Sequence, residues 1–449
     1  MRFDLNGFST NQHAYPDTYR SEESLDKEKY HRIQKALDEE CDRVNNTFEN
    51  LKARFTSDYY FSTYAAQTDA LEFAEKVFPA YRFIFPEDAA DDWLSIVGWI
   101  KKYPTRDHSL HQPLSAYIVQ KLLGFGEYEE SFQTPKGSLL EYCVNAIHSG
   151  GNTDYLLAYI ADKCPFYNLM SSGEQKEWIK DVFYEACVIS ALFHDLGYPW
   201  QFIKHLSKKT LIDDDALVSS LEIDKAKIFE LVKNRLISYP FVGYDQEKKK
   251  KLKQEDLNLL YDSLTDTHGA PGGIAFVGLD EQFTDKNSNS RQVLTYKFIM
   301  DWASVGILMH DMPDVHKAKD KKTKKVTINK ELQLSFDKDP LSSIVALADL
   351  LEEFDRPQAY FHDQDDKNVQ LSYNTSCVAS EILTKEDKDD KAKKILVIRY
   401  WYEDKLKLKE QAEFKDGEVK KYLNGPDAFI GISSLGYESA ICELAKQNI

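Results

Sequence analysis

The chain has 449 residues, 42% of them hydrophobic and 13% aromatic, enough for a sizeable core in one large domain with appendages or in two domains. A formal net charge of -17 argues against the basic face that general affinity for nucleic acid or anionic membrane requires; it leaves room for an anionic small substrate, because metal ions can supply local positive charge. The six cysteines are scattered without CxxC spacing, no apolar leader follows Met1-Arg2-Phe3-Asp4, and no run reaches the roughly 18 apolar residues of a membrane span, so reduced thiols in a cytoplasmic protein are expected.

Residues 1–94 read as an N-terminal helical region. From Ser24 to Phe55, apolar positions near Ile33, Leu37, Val44, Phe48 and Leu51 suit a surface helix. Asp91-Asp92-Trp93-Leu94 opens another apolar helix, which Pro104 breaks. Residues 95–365 carry the main helical signal and predict an all-helical bundle. Leu114, Ile118 and Leu122 recur at four-residue spacing. Trp178, Val182, Ala186, Ile189 and Phe193 form a second stripe, ended by Gly197 and Pro199. Residues 203–265 are helical but Lys-rich, including Lys248 to Lys251, and read as a solvated insertion. Phe298, Trp302, Val305 and Met309 form a third stripe, ended by Pro313. The run Lys317 to Lys325 reads as an exposed loop. Asp339-Pro340 is an N-cap and first-turn pair for a fourth helix with Leu341, Ile344, Val345 and Ala348. In residues 366–449 the period changes. Val369 to Tyr373 alternates, and Ile395 to Tyr402 is rich in β-branched and aromatic residues, both strand signals. Ala428 to Ala445 reads as a strand followed by a helix. The expected fold is therefore mainly α, a helical bundle with a small C-terminal α+β appendage.

Charged residues inside the apolar runs carry the chemistry. His194-Asp195 ends the helical stripe in Ala191-Leu192-Phe193-His194-Asp195-Leu196-Gly197-Tyr198-Pro199. An unpaired buried carboxylate is costly, and a metal ion resolves that cost. Adjacent helical residues point about 100° apart, so both side chains can wrap one site. His310, followed by Asp311, ends the third stripe in the same way. Asp349 lies four residues after Val345, on the apolar face of its helix. His268 opens Thr267-His268-Gly269-Ala270-Pro271-Gly272-Gly273, whose glycines would let backbone approach a site closely. Upstream, Arg106-Asp107-His108-Ser109-Leu110-His111 offers two histidines; His111 shares a face with Leu114, Ile118 and Leu122 and is favoured as the inward one. His13, His31, His148, His205, His316 and His362 are read as satisfied core or surface residues.

The order His111, His194-Asp195, His268, His310, Asp349 resembles the H…HD…H…H…D pattern of HD-superfamily proteins with binuclear centres. The likeness spans about residues 95–360 and extends to the Asp339-Pro340-Leu341 segment running through Ala348-Asp349 to Arg356, as in uncharacterised bacterial HD-domain proteins. Gly197-Tyr198-Pro199 follows the pair directly, whereas the HD-GYP class carries its triplet in a longer motif absent here, so cyclic-dinucleotide cleavage is not inferred. The resemblance implies His111, His194 and Asp349 on one metal with Asp195, and His268 and His310 on the other, with Asp195 as the bridge.

A donor set of His nitrogens and carboxylates without thiolates suits Fe, Mn, Zn, Ni or Co and allows Mg at the more oxygen-rich position. Two such ions about 3.5–4 Å apart could hold a hydroxide and neutralise a phosphoryl oxygen, which is phosphoester hydrolysis of a nucleotide or other small phosphorylated metabolite. In that scheme Asp195 is the central catalytic carboxylate, His108 a proton donor or outer partner, and Arg106 and Arg356 phosphate contacts. Two other readings stand beside it: a di-iron oxygenase of the HD type, and a non-catalytic or sensory HD domain. No nucleic-acid or membrane partner is expected, and a homo-oligomer is left open.

Overall fold

The computed structural model describes residues 1–4, 108–124, 130–195, 268–269, 272–273, 276, 291–311, 317–319, 326–328, 333–353, 358–359, 371–372, 377–402, 408–425 and 427–446. The expected helices at Ser24 to Phe55 and Asp91, and the Lys-rich insertion 203–265, lie outside these residues. Within them the fold is mainly α, with seven α-helices and a small sheet. The helices are α1 (His108–Leu123), α2 (Leu139–Ser149), α3 (Asp154–Lys163), α4 (Ser172–Phe193), α5 (Arg291–Met309), α6 (Pro340–Leu351) and α7 (Leu408–Leu423).

Helix α4 packs against α1, α2 and α5, and α6 lies across α1, α4 and α5. Its start is set by a capping box: the Glu174 backbone N–H donates to Ser171 Oγ, and the Ser171 N–H donates to Glu174 Oε2 at 2.8 Å. From there Trp178, Ile179, Val182, Phe183, Ala186 and Cys187 are buried. Helix α6 begins with Asp339 as N-cap, Oδ1 accepting from the Ser342 N–H at 3.2 Å, and with Pro340 in its first turn. All but one of its residues are buried, as expected of a helix that is apolar around most of its circumference. The exception is Asp349.

Close approach of these helices depends on small residues. A Cβ on Gly306 of α5 would lie 2.2 Å from Leu341 Cδ2 of α6 and 2.7 Å from Ser190 Oγ of α4. Ser190 Oγ stands 2.6 Å from the carbonyl of Ala186 in its own helix and 3.0 Å from that of Ala303 in α5, tying the two helices together. The helical turn after His268 lies flat on α5: a Cβ at Gly269 would meet Leu308 O at 2.8 Å, and one at Gly273 would meet Ser304 O at 2.6 Å.

The strands are β1 (Arg2–Asp4), β2 (Gln133–Thr134), β3 (Gly137–Ser138), β4 (Lys317–Lys319), β5 (Val326–Ile328), β6 (Leu334–Ser335), β7 (Gln358–Ala359), β8 (Leu371–Ser372), β9 (Cys377–Glu386), β10 (Lys394–Tyr402), β11 (Ile430–Gly431) and β12 (Ser439–Lys446). Four of them form the main sheet, in the order β1-β9-β10-β12. β9 and β10 pair antiparallel, and β10 and β12 pair parallel, with α7 as the crossover between them.

Four expectations are corrected here. Ser439–Lys446 is a strand, not a helix, because its alternation puts Ala440, Cys442 and Leu444 against the core while Ile441 stays exposed; the helix of this segment precedes it, as α7. Arg2–Asp4, assigned to a helical region, forms an antiparallel edge strand on β9 with Phe3 fully buried. The Lys317 to Lys325 run is flanked by the antiparallel pair β4 and β5 rather than being loop throughout. The stretch from 95 to 360 also holds short strand pairs, β2 with β3 and β6 with the distant β11, so it is not wholly helical. Ile382, Leu396, Ile398 and Tyr400 belong to the same continuous core as Leu347, Leu350 and Leu351 of α6.

Burial pushes the Asp339 carboxyl up to about 6, against the side-chain and backbone hydrogen bonds of Ser342 that favour its charged form. A folded value above the ordinary one means that its contribution to stability is present below about pH 4 and is lost as pH rises through about 6. Asparagine keeps the cap without the charge. Asp339→Asn should therefore melt with the parent protein near pH 4 and above it by a few degrees beyond pH 6, measured by thermal denaturation across that range. A variant less stable than the parent at pH 8 would contradict this account.

Candidate metal centre

Two helices end in the same corner. Helix α4 stops at Phe193, leaving His194 as its C-cap, and α5 stops at Met309, followed by His310. Each imidazole turns back onto its own last turn: His194 Nδ1 lies 2.8 Å from Ala191 O, and His310 Nδ1 lies 2.6 Å from Ile307 O. A carbonyl can only accept, so each Nδ1 carries the proton and satisfies a helix-end carbonyl that has no partner within the helix. The remaining nitrogen of each ring, Nε2, points into the space between the helices. His268 reaches the same arrangement by another route. Its Nδ1 meets Asp311 Oδ2 at 2.7 Å, its backbone N–H donates to that oxygen at 3.2 Å, and its Nε2 faces inward.

Asp195 sits where the three Nε2 atoms converge. Its Oδ1 is 3.0 Å from His268 Nε2, 3.3 Å from His194 Nε2 and 3.9 Å from His310 Nε2. The Nε2 atoms of His268 and His310 are 3.1 Å apart. From the last turns of α6, Asp349 Oδ1 comes within 3.7 Å of His194 Nε2. His194, Asp195 and His310 are fully buried, while Asp349 and Asp311 keep 16% and 24% of their side chains exposed, which places the open side of the cluster at these two carboxylates.

These donors are of the types that could hold a divalent cation. With each Nδ1 committed to a carbonyl or carboxylate, the Nε2 atoms are what the rings have left to offer, and here they face a carboxylate oxygen and one another. Burial, reinforced by His194 and His268 alongside and opposed by Asp349 and Asp311, pushes His310 down to about 4, so that ring stays neutral at physiological pH. Burial also works against the charge of Asp311, yet the charge and hydrogen bonds of His268 outweigh it and hold that carboxyl below its ordinary value. A cation fits both the Nε2 atoms and the carboxylates. Two donors each about 2.1 Å from a shared ion lie about 3.0–3.4 Å from each other in octahedral or tetrahedral coordination; the separations of 3.0, 3.1 and 3.3 Å fall in that window, while Asp349–His194 at 3.7 Å and Asp195–His310 at 3.9 Å are wider. The C-terminal ends of α4, α5 and α6 add their dipoles, which favour positive charge by typically about 0.3–1 kcal/mol each at exposed ends.

Of the six expected ligands the structure brings five together: His194, Asp195, His268, His310 and Asp349. His111 lies in the first turn of α1, one turn after His108, on a helix packed against α4 and α6; the side chains of both fall outside the described residues. Arg106 and Arg356 lie outside them as well, as do His13, His31, His205, His316 and His362. His148 is on the surface, 3.3 Å from Ser172 Oγ. A Cβ at Gly269 or Gly273 would meet the backbone of α5, so these two glycines admit that helix closely. Asp311 was not expected in the cluster. It orients His268, and the signal for it was the repetition of the pair His194-Asp195 as His310-Asp311. No family model matches the chain, and no curated protein or solved structure matches it either.

On a metal reading of these donors, removing Asp311 frees His268 to rotate and weakens its basicity. Asp311→Ala should then lower Co²⁺ affinity by about 10–100-fold, the usual cost of losing the outer partner of a ligating histidine, with Asp311→Asn milder because its amide oxygen can still accept from Nδ1. Calorimetric titration would read this directly; unchanged affinity in Asp311→Ala would show that Asp311 plays no such part.

Proposed function

We propose that the chain is a metal-dependent phosphohydrolase of the HD type, acting on a nucleotide or another small phosphorylated metabolite. The observation that carries this reading is the convergence of three imidazole Nε2 atoms on one buried carboxylate oxygen, Asp195 Oδ1, at 3.0, 3.3 and 3.9 Å. His194 and Asp349 would hold one ion with His111, His268 and His310 the other, and Asp195 would serve both. Divalent ions so held would supply Lewis acidity, lowering the pKa of bound water and neutralising charge on a phosphoryl oxygen. The protein's own part is to fix the donors. The Nδ1 bonds to Ala191, Ile307 and Asp311 lock each ring's tautomer, and the dry floor of the cluster strengthens every charge interaction within it. Asp311 and Asp349, on the open side, border the route by which a substrate would enter. His108 is assigned as proton donor or outer partner, and Arg106 and Arg356 as phosphate contacts.

Elemental analysis of the purified protein, with phosphate release from a panel of phosphorylated metabolites, tests this reading. The expected result is about two metal equivalents and turnover of at least one phosphoester. Asp195→Ala should lose both equivalents; His310→Ala should lose about one equivalent and most activity while keeping its helical circular dichroism. Full metal content and turnover in His310→Ala would leave a one-metal hydrolase. Oxygen uptake without phosphate release would point to the di-iron oxygenase, and metal binding with neither reaction to a sensory domain.

A further inference from the structure

The C-terminal end of α6 is held from outside the helical bundle. Asp349 is two residues from the end of that helix, and the next residue, Leu350, exposes one of the terminal carbonyls that a helix cannot satisfy itself. That carbonyl is taken by the α/β unit: the buried hydroxyl of Tyr400, on β10, donates to Leu350 O at 2.6 Å. A second tie lies just beyond. Lys415 of α7, 2% exposed, pairs with the buried carboxylate of Glu353, two residues after the end of α6, and with Glu418 at 2.6 Å. The Lys415 ammonium also stands 5.4 Å from the centroid of the Tyr400 ring, so the two ties form one cluster. An ammonium at a helix C-terminus is favourable in its own right, and separating a buried ion pair leaves an uncompensated buried charge, so Glu353 is not free to move.

We infer that Tyr400 and Lys415 are positioning residues for Asp349, and that the α/β unit thereby completes the candidate metal centre. This rests on the metal reading given above. Neither residue is within the cluster. They act by fixing the last turn of α6, and with it the reach of the Asp349 carboxylate toward His194. A one-turn helix end without these ties would fray, and a carboxylate displaced by as little as about 1 Å leaves a site whose donors must agree to about 0.5 Å. The arrangement also explains why a unit carrying none of the five clustered residues shares its core with α6.

The test is Co²⁺ titration of the full-length chain, followed by affinity and by the visible d–d spectrum. Tyr400→Phe removes one hydroxyl and leaves the ring. It should weaken Co²⁺ binding about tenfold and alter the spectrum, as loss of an outer-sphere partner does. Lys415→Met, which keeps the apolar stem, should do the same. A general loss of stability would not reproduce the decisive result: in an Asp349→Ala background, Tyr400→Phe should change Co²⁺ affinity by less than about twofold, because the coupling runs through Asp349. Parent-like affinity and spectrum in both single variants would overturn the inference, as would an equal loss with and without Asp349. A parent protein that binds no Co²⁺ would instead overturn the metal reading itself, before either variant is made.

Discussion

The Asp195 carboxylate is buried among three imidazole nitrogens, and each of those rings has its other nitrogen committed elsewhere. That constraint organises the rest of the molecule. To bring His194 and His310 to one oxygen, α4 and α5 must end together, and they can lie close enough only because Gly306 offers no Cβ to Leu341 and Ser190. To bring His268 in, its helical turn must rest on the backbone of α5, which Gly269 and Gly273 permit. Each ring is then held by a carbonyl or carboxylate already in the frame, so the tautomers are decided before any ligand arrives. The cluster is thus preorganised by helix ends.

The same geometry sorts two chemically identical His-Asp pairs into different tasks. Asp195 turns inward to the convergence point, whereas Asp311 turns to the back of His268 and stays partly exposed. The difference comes from neighbours. His268 offers Nε2 to one carboxylate and Nδ1 to the other, so a single ring links both pairs. Such a ring between two carboxylates is firmly oriented, and orientation of the donors is what a metal site asks of its protein.

Much of the frame was legible in the residues themselves. The stripes at Leu114, Trp178 and Phe298 became α1, α4 and α5, and Asp339-Pro340 became the start of α6, because capping and apolar spacing act locally. The cluster was legible for a related reason: His194, Asp195, His310 and Asp349 are polar residues in apolar runs, where burial demands a partner. What escaped was set by distant contacts. Ser439–Lys446 alternates over too short a stretch to stand out beside helix-compatible residues, and its parallel pairing with β10 fixes it as a strand. Arg2–Asp4 is too short to carry a period and is fixed by β9, far along the chain. The partnership of Lys415 with Glu353 joins two charged residues 62 positions apart, neither of which stands out locally. Among the described residues no helix is long and apolar enough to cross a bilayer.

The central claim is that the donors around Asp195 hold divalent ions. Anomalous diffraction from crystals equilibrated with Mn²⁺, recorded on both sides of the metal absorption edge, addresses it without reference to any substrate. The account predicts anomalous peaks within about 2.0–2.3 Å of the inward Nε2 atoms, with Asp195 lying between two metal positions and Asp349 on the His194 side. Crystals with no peak at this cluster, or with ions bound only at surface carboxylates, would contradict it.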